Sequence, residues 1–184
     1  MKKLMFIGDS LIEFYDWEAR FPQHEVLNLG ISGERVEELL ERLPRLVSIV
    51  KEIDFVFIMT GINNIAMEDF DIVDSYKGIV STLKGIYNTA TIVVQSVLPV
   101  SLYWIDNRLI RAVNSSLKDI CNTYSVDYLD IYTLFTERND KANRLLLLDD
   151  GVHISDKGYE VWSAAVERYL KDKITSFPRA ESCA

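Results

Sequence analysis

Short, largely apolar runs alternate along this chain with segments whose apolar residues recur at helical spacing. The runs occupy residues 4–7, 26–29, 55–59, 92–98 and 126–131, and most close on a glycine, threonine or proline. Continuous apolar strands are what a parallel sheet covered on both faces requires. Between them, Val36, Leu39, Leu40, Leu43, Val47 and Val50 fall on one helical stripe, with Pro44 expected to kink or break it. Further stripes run from Ile72 to Tyr87, from Ile110 to Tyr124 and from Val161 to Leu170, the last with Ser155 as its expected N-cap. This alternation predicts an α/β domain of three layers, with a parallel sheet and right-handed crossovers.

The 184 residues suit about one domain. The reading places it at residues 1–174, with 175–184 a frayed tail where the pattern stops. A composition 48% hydrophobic and 26% charged argues against disorder. The net charge of −8 comes without a basic patch, which disfavours nucleic acid and anionic membrane surfaces as partners. Residues 85–105 carry no formal charge, but Asn88, Gln95, Ser96 and Pro99 interrupt them, so they read as a buried strand and loop rather than a membrane span. The run at 4–7 is too short for a secretory leader, and Cys121 and Cys183 fit a reducing compartment, so a cytoplasmic location is expected. Oligomeric state is not legible.

Ligands of an open parallel sheet bind beyond the carboxyl ends of its strands. There the sequence collects Gly8-Asp9-Ser10-Leu11, Gly30-Ile31-Ser32-Gly33, Gly61-Ile62-Asn63-Asn64, an aromatic loop with Tyr103 and Trp104, and Asp149-Asp150-Gly151-Val152-His153. These are parts of an acyl-transfer site. Ser10 is the candidate nucleophile, placed where a helix opens and its dipole favours negative charge. The chain has two histidines, His24 and His153, and only His153 has a carboxylate at a spacing that reaches its own Nδ1, that of Asp150. The Ser10 N–H, the Gly33 N–H and the Asn63 side-chain amide are candidate oxyanion donors.

Taken in order, these motifs resemble the SGNH hydrolase superfamily, also called GDSL esterases and lipases, over nearly the whole chain. The Asn28-Leu29-Gly30-Ile31-Ser32-Gly33 and Asn63-Asn64 variants look most like its platelet-activating-factor-acetylhydrolase-like branch. The resemblance implies a flavodoxin-like sheet of five parallel strands, a Ser10-His153-Asp150 triad, an oxyanion hole from Ser10, Gly33 and Asn63, and no cofactor; two histidines and two cysteines without close spacing argue against a metal site. One departure is visible: Asn64 stands where the family usually carries Asp.

Ser32 is read as a helix N-cap, Asp149 as the lesser carboxylate, and Asp9 as a turn or cap residue. Tyr15, Trp17, Tyr103 and Trp104 are candidate pocket residues. The expected function is a serine esterase or acylhydrolase acting on a small-molecule ester with a small or short acyl group. A carbohydrate O-deacetylase or thioesterase using the same site is the alternative, and a non-catalytic binding module stands further off.

Overall fold

The computed structural model describes residues 1–176. Its apolar runs become β1 (Lys3–Gly8), β2 (Glu25–Gly30), β3 (Phe55–Met59), β4 (Thr91–Gln95) and β5 (Asp127–Leu129). All neighbouring strands pair in parallel, in the order β2-β1-β3-β4-β5. The chain reverses its direction of winding beside β1, so a crevice opens past the carboxyl ends of β1 and β3.

The helices are α1 (Ser10–Glu13), α2 (Trp17–Arg20), α3 (Val36–Ile49), α4 (Ile62–Ala66), α5 (Val73–Ile86), α6 (Asn107–Tyr124) and α7 (Asp156–Ser176). Helix α5 packs between α3 and α6 as one layer. On the other face α7 closes over α1 and α2, with Trp162 edge-on to Trp17 at 5.1 Å and the Tyr159 hydroxyl donating to the Leu11 carbonyl at 3.0 Å. This is the three-layer, flavodoxin-like arrangement the sequence led us to expect.

The core beneath the site is aromatic. Phe6 of β1 stacks on Trp17 at 4.1 Å and on Phe57 of β3 at 4.9 Å. Burying each such ring contributes roughly 1.5–3 kcal/mol. Trp17 is wholly buried here, which corrects its expected place in a substrate pocket. Its one-turn helix faces the sheet, and its Nε1 donates to the Ile12 carbonyl at 3.0 Å. Tyr15 is corrected likewise: its ring stacks on Tyr159 at 4.6 Å and its hydroxyl bonds Ser163.

Several boundaries differ from expectation, three of them for a visible reason. Helix α3 runs through Pro44 without ending; Pro44 is exposed, so water can serve the carbonyl it leaves without a donor. Strand β4 stops at Gln95, because beyond it the Asn114 side chain takes over both the N–H and the carbonyl of Val97, each at 2.8 Å. Helix α7 carries order through Thr175 and Ser176; the rest of the expected tail, with Cys183, lies outside the described residues.

Candidate active site

Gly8 ends β1 at φ +153°, where an added Cβ would sit 1.7 Å from the Met59 carbonyl oxygen. Only glycine lets β1 and β3 stay paired to this point. Asp9 then caps α1, its Oδ1 accepting from the Leu11 N–H at 3.1 Å. Ser10 opens the helix and is 3% exposed.

A one-turn helix does not sustain itself. Helix α1 is held by side chains from elsewhere. The Asn28 amide lies within 3.0–3.2 Å of the carbonyls of Ile12, Glu13 and Tyr15, while its Oδ1 accepts from the Gly30 N–H at 3.2 Å. Trp17 and Tyr159 complete the set. With one turn the macrodipole is small, so the expected dipole contribution gives way to individual N–H donors.

His153 arrives from a loop just before α7. Asp150 Oδ1 accepts from the Val152 and His153 N–H groups, both at 2.9 Å, and its Oδ2 lies 2.7 Å from His153 Nδ1. Partial burial would raise the Asp150 pKa. The two backbone N–H groups and the imidazole outweigh it and hold the carboxyl below its ordinary value. An ionised Asp150 accepts the Nδ1 proton, which leaves the Nε2 lone pair facing Ser10 Oγ at 3.2 Å. Asp150, not Asp149, therefore meets the imidazole. The Phe14 ring stacks on His153 at 5.5 Å, a contact not anticipated from sequence, although Phe14 follows Ser10 at one helical turn. His24 lies at the opposite end of the sheet, where its Nδ1 accepts from the Lys2 N–H.

The other expected oxyanion donors sit in the turn after β2 and in the short helix after β3. Gly33 adopts φ +80° in an exposed turn after β2, with no atom within 4 Å of where a Cβ would be. Asn63 lies in α4, just beyond β3, and donates one amide hydrogen to the Glu34 carbonyl at 2.9 Å, which leaves the second available. The Ser10 and Gly33 N–H groups take no acceptor among the described residues. Ser32 is not the N-cap of α3: its N–H bonds Glu13 Oε2 at 2.6 Å, and α3 starts at Val36 with Glu38 accepting from the Arg35 N–H.

Asp9 is fully buried and its Oδ2 has no hydrogen-bond partner. Burial pushes its pKa up to about 7; Glu34 adds to the rise, while the Leu11, Ile62 and Gly61 amides oppose it. The Ile62 and Gly61 amides face the carboxylate without reaching bonding geometry.

Tyr103 and Trp104 stand in the loop after β4, edge to face at 4.7 Å. That loop bridges the two sides of the site. Ser101 N–H donates to the Gly151 carbonyl at 2.7 Å, and Trp104 Nε1 to the Ala66 carbonyl at 3.3 Å. Tyr103 is 97% exposed. Among the described residues no three His, Cys, Asp or Glu side chains converge as metal ligands would, and no helix is long and apolar enough to cross a membrane.

A doubly wound sheet with a serine, histidine and aspartate in line at its switch point defines a class of ester hydrolases. The chain belongs to the GDSL-like lipase/acylhydrolase family, whose model matches residues 6–161. Among curated proteins it is 30% identical to the N-acylneuraminate cytidylyltransferase of Escherichia coli O18:K1:H7, over 91% of this chain and 40% of that protein. It thus spans less than half the length of that relative. It is 25% identical to the human isoamyl acetate-hydrolyzing esterase 1 homolog, over 96% of this chain and 84% of that one. Among solved structures, an acetylxylan esterase from Geobacillus stearothermophilus shares the fold at TM-score 0.75 and 22% identity, covering 91% of this chain and 93% of that one. The lipase/acylhydrolase of Enterococcus faecalis does so at 0.76 and 19%, covering 94% and 97%.

Proposed function

We propose that residues 1–174 act as one serine esterase domain that cleaves small or short-chain acyl esters through an acyl-enzyme. The observation that carries this reading is the line of contacts from Ser10 Oγ to His153 Nε2 at 3.2 Å and from His153 Nδ1 to Asp150 Oδ2 at 2.7 Å. Ser10 Oγ attacks the ester carbonyl as His153 Nε2 takes its proton. The carbonyl oxygen, now anionic, is met by the N–H groups of Ser10 and Gly33 and the free amide hydrogen of Asn63. His153 returns the proton to the leaving alkoxide, and the alcohol departs. Water, deprotonated by the same nitrogen, then releases the acid and restores Ser10. Asp150 holds the imidazole tautomer throughout.

Hydrolysis of p-nitrophenyl esters from acetate to dodecanoate, wild type beside Ser10→Ala, tests this reading. Turnover of short esters by wild type and a fall of up to ~10⁶-fold in Ser10→Ala is the expected result. Equal rates in the two proteins would overturn it.

A second reading, a carbohydrate O-deacetylase, is favoured by the exposed Tyr103–Trp104 pair, whose loop is tied both to Gly151 beside Asp150 and to the helix of Asn63. An exposed aromatic face at the rim suits a saccharide ring as the leaving group. The name of one structurally similar protein, an acetylxylan esterase, lends it support. Faster turnover of acetylated sugars than of p-nitrophenyl acetate, lost in Trp104→Ala, is its signature.

A further inference from the structure

We propose that Arg42 and Glu34 form a positioning pair that holds the Asn63 amide in place for the oxyanion. The inference rests on reading Asn63 as an oxyanion donor and adds what sets its orientation. Arg42, in α3, turns its guanidinium back toward the Gly33 turn. Its Nε donates to Glu34 Oε1, and its Nη2 donates to Glu34 Oε2 at 2.9 Å and to the Leu29 carbonyl at 2.8 Å. The Glu34 side chain is only 4% exposed. A planar fork on a carboxylate fixes direction as well as distance.

Glu34 is therefore held at three points. Its carboxylate is in the fork, its N–H donates to the Ile31 carbonyl at 3.1 Å, and its carbonyl accepts the Asn63 amide at 2.9 Å. An amide group is planar, so a bond to one hydrogen fixes the plane and aims the other. The aim of the Asn63 donor is thus set by the Glu34 carbonyl, and the Glu34 backbone is set by Arg42. Neither Arg42 nor the Glu34 carboxylate touches a reacting atom in this arrangement. Their influence on the reaction passes through Asn63.

The test is a double-mutant cycle on kcat, with short p-nitrophenyl esters and thermal unfolding monitored in parallel. Arg42→Lys keeps the charge and loses the fork. It should lower kcat about 10- to 100-fold, the scale of a misplaced group, with KM nearly unchanged. In an Asn63→Ala background the same change should cost less than about twofold, because the group it positions is gone. Glu34→Gln, which keeps the shape and an acceptor, should show the same non-additivity and serves if Arg42→Lys folds poorly. An unchanged kcat in Arg42→Lys and Glu34→Gln overturns the proposal. So does an equal loss in both backgrounds, which would mark the pair as merely structural. If Asn63→Ala itself retains the wild-type rate, the oxyanion role of Asn63 fails first, and the proposal fails with it.

Discussion

Asn64 Oδ1 accepts the Val36 N–H at 3.1 Å, which ties the helix carrying Asn63 to the first turn of the helix that follows Gly33. The Asn64 amide also donates to Glu37 Oε2 at 3.0 Å and to Asp69 Oδ2 at 2.9 Å, and the residue is fully buried. This accounts for the departure from the family pattern. With two carboxylates already facing the position, the residue there must donate, and an aspartate cannot while ionised. Asn64→Asp should destabilise the fold by about 2–4 kcal/mol near pH 8 and by less near pH 5, where protonation relieves the repulsion. Urea unfolding at the two pH values checks this, and an equal loss at both would rule it out.

Asp150→Asn keeps the shape of the loop and removes the charge that selects the imidazole tautomer. The expected result is a drop of about 10³–10⁴ in kcat with a fold that still unfolds cooperatively, as for loss of this carboxylate in other triads. In wild type the carboxyl is held below its ordinary value by its two N–H donors and the imidazole. Its stabilising contribution is therefore present above the unfolded carboxyl range and is lost only as pH falls through the lowered value. General-base catalysis by an imidazole predicts a kcat/KM that rises with pH on the acid side. A profile flat between about pH 5 and 8, with chemistry rate-limiting, would remove His153 as the base.

Asp9→Asn keeps the cap on Leu11 while abolishing a buried ionisation. With its folded pKa pushed up to about 7, Asp9 stays protonated where the unfolded chain has already lost the proton. Wild-type stability should fall as pH rises through that window, by up to about 4 kcal/mol. The Asn variant should show a flatter curve. Parallel curves for the two proteins in thermal or urea unfolding would mean that Asp9 does not titrate there.

Phe14→Ala removes a ring that is more than half exposed and stacked on His153. Stability should change by less than about 1 kcal/mol, since little buried area is lost. kcat/KM for short esters should fall severalfold, because the imidazole loses one wall. Trp17→Ala is the counterpart in the core. It should cost about 3–5 kcal/mol, with the Ser10 helix losing a bond to its Ile12 carbonyl as well. If calorimetry ranks the two variants the other way, the assignment of Trp17 to the core and Phe14 to the site is wrong.

Strands were legible wherever an apolar run was itself the paired segment, and β3 matches its run at both ends. The run at 92–98 misled because Val97 is equally apolar but is paired by the Asn114 side chain, a partner far along the chain. Of the one-turn helices, α1 was legible only as a helix opening at Ser10, and α2 and α4 were not legible. A single turn has no period to read, and α1 stands on the amide of Asn28. The same cause misplaced Tyr15 and Trp17, which looked like loop aromatics because the turn facing them inward is too short to show a stripe. Ser10, Asp150 and His153 could be picked out because each lies where a strand or loop meets the switch point. Glu34, Arg42 and the partners of Asn64 could not, since their meaning comes only from what the fold brings beside them.

The contacts of Ser10 have a temporal side. Its helix is pinned at Leu11 by Tyr159, and its hydroxyl faces the imidazole of His153, so both partners arrive with the last part of the described chain. A nascent chain that has emerged only through β5 already carries the serine, Gly33 and Asn63, but lacks the imidazole of His153. On the proposed mechanism, the serine gains its proton acceptor in one late step of synthesis, when residues 150–159 dock, and a copy truncated before them would carry Ser10 without it.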